Sequence, residues 1–83
     1  MITARQFRAA RALLGWTQET LADKALVSLT ALKRLESGNR DVYESTRDQV
    51  RRTLEANGIV FLTSDQGEGV MLVRAEVDAI SRK

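Results

Sequence analysis

Between Thr17 and Gly38 two short helical periods follow one another with almost no chain between them, and that spacing constrains the fold of this 83-residue chain more than any other feature. Thr17 suits the N-cap of a stretch of roughly two turns, Gln18 to Ala25, in which Leu21, Ala22 and Ala25 share one face. Ser28 suits the N-cap of a second stretch, Leu29 to Ser37, with Leu32 and Leu35 at i, i+3 and Gly38 as its stop. Only Leu26 and Val27 separate the first stretch from the second cap. Two helices joined so tightly must cross at close range, and Ala22 is small where they meet. Val27 plugs the turn into the core, and Leu32 with Leu35 hold the second helix down. Leu29, Thr30, Lys33 and Arg34 are then left on its outer face.

The flanking sequence supplies partners for this pair. A helix over Thr3 to Leu14 is predicted from the capping-box spacing of Thr3 and Gln6 and from Phe7, Ala10 and Leu14 on one face. Gly15 follows it. After a loop over Asn39 to Glu44, a fourth helix is expected from Thr46 to Asn57, with Ser45 and Asp48 as its capping box and Val50 and Leu54 facing inward. Four short helices in residues 1–58 make a compact α unit.

After Gly58 the period changes. Ile59 to Thr63 is β-branched and aromatic, residues 64–69 carry turn chemistry, and Val70 to Val73 is a second apolar run, so a β-hairpin is predicted. Ala75 to Ser81 has room for a last helical turn or two. The hairpin carries apolar residues on both faces, more than a small helical core covers. Residues 59–83 are therefore expected to pack on the helices and to dimerise, with Phe61 and Leu72 as contact residues; a hairpin folded wholly onto its own monomer is the alternative.

Composition narrows the function classes. The chain has no cysteine and no histidine, which removes disulfides, Cys/His metal sites and nucleophiles activated by histidine. Glu19, Asp23, Asp41 and Glu44 suggest no acid/base pair, and no phosphate loop is present, so an enzyme and a cofactor are not expected. No signal-peptide core and no apolar run of about eighteen residues occurs, so a cytoplasmic address without membrane association is expected. The net charge of +2 is unevenly placed. Residues 1–58 hold ten basic and seven acidic side chains, and residues 59–83 hold three and four. The positive excess thus falls on the helical part.

A second helix held rigidly with its N-terminal half outward fits a DNA major groove, while the first can point its N-terminal N–H groups at a phosphate. The residues Thr17-Gln18, Leu21-Ala22, Val27-Ser28, Leu32 and Arg34-Leu35-Glu36-Ser37-Gly38 resemble the Cro/cI-type (XRE) helix-turn-helix family of transcriptional regulators. The resemblance is close over about 22 residues and extends with its flanking helices over residues 3 to 58. It implies a mainly α, lambda-repressor-like bundle of four to five helices, here followed by the C-terminal hairpin. It also implies a DNA-binding face of Thr17, Gln18, Ser28, Leu29, Thr30, Lys33 and Arg34, with Asn39 and Arg40 clamping the backbone, and an interhelical ion pair between Arg11 and Glu36.

On that resemblance the expected function is repression of transcription by a homodimer on a two-fold-related operator. The family also includes antitoxins, so a protein partner such as a toxin is the alternative. Two bland readings stay open beside it: Lys33 and Arg34 as solvated helix-face charges, and Gln18 as a residue serving its own helix end. Trp16 reads as a plug between the first two helices. This sequence departs from the family twice. Leu26 stands where glycine is usual in the turn, and Leu29 is apolar where polar readers are common.

Overall fold

The structure, a computed structural model, describes residues 1–74. The helical turn expected over Ala75 to Ser81 lies outside them. The described elements are α1 (Ala4–Leu14), α2 (Gln18–Ala25), α3 (Leu29–Glu36), α4 (Glu44–Ala56), β1 (Ile59–Ser64) and β2 (Gly67–Leu72).

Three of the helices open as their capping residues require. Thr3 and Gln6 form a reciprocal capping box, and the hydroxyl oxygens of Thr17 and Ser28 accept from the backbone N–H groups of Thr20 and Ala31. Each cap satisfies a donor that the helix itself cannot, a contribution of about 1 kcal/mol apiece. α2 ends at Leu26 in the left-handed region, with φ 59 and ψ 40, and its N–H donates to the carbonyls of Ala22 and Asp23. The turn therefore keeps the geometry that glycine normally serves, and the leucine bears a strain of about 1–2 kcal/mol.

α4 corrects the sequence reading. It starts at Glu44, earlier than expected, and its N-cap Tyr43 makes no side-chain capping bond. The Ser45–Asp48 box does not form, because the Asp48 carboxylate pairs instead with Arg51 and Arg52 further along the helix. The hairpin corrects it again: the turn is only Asp65-Gln66, and Ser64 pairs with Gly67. Gly67 and Gly69, whose chemistry suits a turn, lie within β2.

The core is a single cluster of Phe7, Leu21, Leu32, Leu35, Val50, Leu54 and Ile59 with Ala10, Ala22 and Ala25 between them. Each of its large side chains contributes about 1.5–3 kcal/mol by burial. Val27 and Trp16 pack on its edge as expected, with the Lys24 ammonium 5.3 Å from the Trp16 ring centre.

The antiparallel register pairs Ile59 with Leu72, Phe61 with Val70 and Thr63 with Glu68, so these side chains share the face turned toward α1. Phe61 meets the Phe7 ring edge-on at 5.7 Å between centres. Two polar clamps reinforce the contact. The Gln6 side-chain amide, almost fully buried, donates to the carbonyls of Leu62 and Gly69 at 3.1 and 3.0 Å. Glu68 accepts from the Thr3 hydroxyl and from Arg5, and these two hold its carboxyl below the ordinary carboxylate range.

Gly58 links α4 to β1 at φ 97, and its carbonyl accepts from the Val73 N–H at 2.7 Å. A Cβ there would come within 3.0 Å of the Val73 carbonyl oxygen. Gly58→Ala is therefore expected to lower stability by about 2 kcal/mol or more, read from the denaturant midpoint. Gly15→Ala is the control, since a Cβ there meets nothing within 4 Å among the described residues, and it is expected to cost less.

Candidate nucleic-acid interface

The candidate surface is the outer side of α3, and a buried carboxylate determines how that helix sits. Glu36 ends α3 and is 2% exposed. Its two carboxylate oxygens accept from Arg11 of α1, Nε at 2.8 Å and Nη2 at 3.0 Å, in the forked geometry that suits guanidinium and carboxylate. Gln18, the first residue of α2, donates its side-chain amide to the same carboxylate at 2.9 Å. Arg11 also donates to the Trp16 carbonyl at 3.0 Å, and Arg8 donates to the Glu36 backbone carbonyl. One acidic side chain thus joins α1, α2 and α3.

With the inner side of α3 held by Leu32, Leu35 and Glu36, the opposite side is left uncovered by the described residues. Leu29 and Lys33 form one i, i+4 row, and Thr30 and Arg34 form the next. Thr30, Lys33 and Arg34 are exposed, whereas Leu29 is half-buried against the core edge. Ser28, Thr30 and Arg34 line one open groove between α3 and the start of α4, together with Leu26 and Asp41. The expected site residues do not all converge. Gln18 turns its amide inward to Glu36. Asn39 and Arg40 line a separate depression with Ile2 and Glu44, and Asn39 Oδ1 accepts from the Asp41 N–H at 2.7 Å. Thr17 is exposed at the N-terminus of α2, where its hydroxyl caps the helix.

Of the two expected dimer contacts, Phe61 packs on Phe7, while Leu72 shares its face by register but stays 37% exposed at the end of the hairpin. The outward side carries Val60, Leu62 and Met71, with Val73 continuing the row, and these are 38–48% exposed.

Residues 7–42, from within α1 to just before α4, match the family model described as Helix-turn-helix. They are a helix-turn-helix of the Cro/cI type. That part of the chain therefore carries the fold of a DNA-binding helix-turn-helix. Comparison with curated proteins gives no match. Among the described residues no helix is long and apolar enough to cross a membrane, and no group of three or more acidic, histidine or cysteine side chains is placed to hold a metal.

Sequence reasoning missed three residues that support the helix-turn-helix. Gln6 was visible only as a capping partner, and its hydrogen bonds to the hairpin depend on contacts across 56 and 63 residues of chain. Arg8 bonds a backbone carbonyl, which leaves no trace in a side-chain pattern. Arg47 donates to the Ile2 carbonyl at 2.6 Å and lies over the Phe7 ring at 5.5 Å, tying the N-terminus to α4.

The Glu36 network makes a quantitative demand. Arg11→Met leaves a buried carboxylate with Gln18 as its main side-chain partner and is expected to cost about 3 kcal/mol. Glu36→Met leaves Arg11 partly solvated and still bonded to the Trp16 carbonyl, and is expected to cost less. The double variant is expected to be more stable than the sum of the single losses by at least about 1 kcal/mol, measured by urea denaturation of all four proteins.

Proposed function

We propose that the chain is a sequence-specific double-stranded DNA-binding regulator, a homodimeric repressor that acts by occluding a promoter. The observation that carries the reading is the second helix of a helix-turn-helix, anchored on its inner side by Leu32, Leu35 and Glu36 while Thr30, Lys33 and Arg34 stand free on the outer side. In this reading α3 enters the major groove. Arg34 or Lys33 bonds guanine O6 and N7, and Ser28, Leu29 and Thr30 contact the groove at the helix start. Thr17 and the N-terminal N–H groups of α2 meet a phosphate. Gln18, held by Glu36, keeps its side-chain carbonyl and one amide hydrogen for the same backbone. Asn39 and Arg40 meet the backbone from their separate depression.

Two copies fit this task, since a two-fold operator presents half-sites about 34–36 Å apart. The outward hairpin row of Val60, Leu62, Met71 and Val73 is the proposed dimer surface. Ser64, Gly67 and Gly69 complete that face, and none of its residues is charged. A two-fold interface sets a surface against itself, so an uncharged apolar face meets its copy without like-charge repulsion. The division of labour is then residues 1–58 for DNA and residues 59–83 for association.

Selection of bound duplexes from a random library tests the reading. The wild type is expected to enrich a two-fold-symmetric motif, and Lys33→Glu/Arg34→Glu is expected to bind that motif about 100-fold more weakly or worse. Retention without a motif, weakening steeply with salt, would contradict sequence-specific repression. A protein-interaction role such as that of an antitoxin would survive the double charge reversal. For the dimer, Leu62→Glu is expected to give a folded monomer by light scattering, whereas Phe61→Glu is expected to destabilise the fold because its ring packs on Phe7. An unchanged dimer in Leu62→Glu would contradict the assigned surface.

A further inference from the structure

Among the described residues the backbone turns left-handed at Gly15, Leu26, Gly38 and Gly58, and Leu26 is the one position of these not occupied by glycine. A side chain held in this conformation is strained, and such strain persists where something offsets it. Among the described residues, packing does not offset it. Leu26 is 83% exposed and stands outside the core cluster. Its N–H bonds to Ala22 and Asp23 are backbone contacts that glycine would make equally well. What leucine adds at this position is therefore an apolar side chain offered to the outside.

The position of that side chain indicates its contact. Leu26 lies two residues before Ser28, the N-cap of α3, and lines the same groove as Ser28, Thr30 and Arg34. That is the end of α3 that leads into the major groove in the DNA reading, on which this inference rests. The apolar feature a base edge presents there is the C5-methyl of thymine. Asp41 and Asp48 line the groove as well and offset the charge of Arg34, so the groove offers no net positive charge to a phosphate, whereas a methyl group is indifferent to it.

We propose that Leu26 is a specificity-determining residue that contacts a thymine methyl in each half-site, beyond the contacts made by α3 itself. The strained turn thereby exchanges stability for sequence discrimination.

The test uses the motif selected by the wild-type protein and two variants, Leu26→Gly and Leu26→Asn, whose residues accept the left-handed backbone. Both are expected to melt at or above the wild-type temperature. Each motif thymine is then replaced singly by deoxyuridine, which lacks only the methyl group. Wild type is expected to lose roughly five- to tenfold in affinity at one thymine per half-site. The variants are expected to bind the parent duplex as weakly as wild type binds that uridine duplex, and to ignore the replacement. Variants that bind the parent duplex like wild type would overturn the proposal and leave Leu26 to a protein partner. An equal loss on thymine and uridine duplexes at every position would also overturn it, since the contact would then not be to a methyl. A wild type that selects no motif would overturn the DNA reading itself, a failure visible before any variant is made.

Discussion

The carboxylate of Glu36 is the point on which the arrangement of the first three helices depends. Buried at the end of α3, it is compensated by a forked Arg11 from α1 and by the amide of Gln18 at the start of α2. A buried charge with incomplete partners is costly, so the three helices are driven to the one arrangement that supplies them all. The apolar residues Leu21, Leu32 and Leu35 provide the bulk of the attraction between these helices, but leucine contacts tolerate small shifts. Forked hydrogen bonds tolerate them less. The network therefore adds orientation to an adhesion that burial already supplies, and orientation is what a groove-reading helix needs.

α1 carries that orientation across the molecule. One side of it holds α3 through Arg8 and Arg11, and the other holds the hairpin through Gln6, Phe7 and the Thr3–Arg5–Glu68 cluster. The hairpin is thus fixed to the helices by polar bonds with defined directions as well as by the Ile59 and Phe61 side chains. In the proposed homodimer this matters physically. The spacing of two reading helices is only as well defined as the link between the surface that dimerises and the surface that reads, and here that link runs through the eleven-residue α1, with α4 joined to the hairpin beside it at Gly58 and Ile59.

Much of this was legible in the sequence wherever the deciding interaction is local. Thr3, Thr17 and Ser28 cap within three residues of themselves, so each of those helix starts could be placed to the residue. Ser45 and Asp48 had the same spacing and did not cap, because Asp48 had competing cationic partners one helical turn on. Gly67 and Gly69 suggested a turn, but Gly69 pairs with Leu62 inside the ladder, and the Leu62 side chain lies near the space a Cβ would fill. Where both faces of a hairpin are apolar, alternation gives no inward side. The face of Phe61 was therefore settled by its meeting with Phe7, a contact across more than fifty residues of chain that no local pattern encodes. The inward amide of Gln18 and the separate depression of Asn39 and Arg40 were likewise fixed by packing.

The central claim is that the outer side of α3, oriented by Glu36, is the surface that meets DNA. The most direct measurement is an amide nitrogen–proton NMR titration of the protein with its selected duplex. The account expects the largest shift changes at residues 26–34 and at the first turn of α2, with the hairpin nearly unmoved. Changes centred on the hairpin or on the exposed side of α4, with residues 28–34 unaffected, would contradict it.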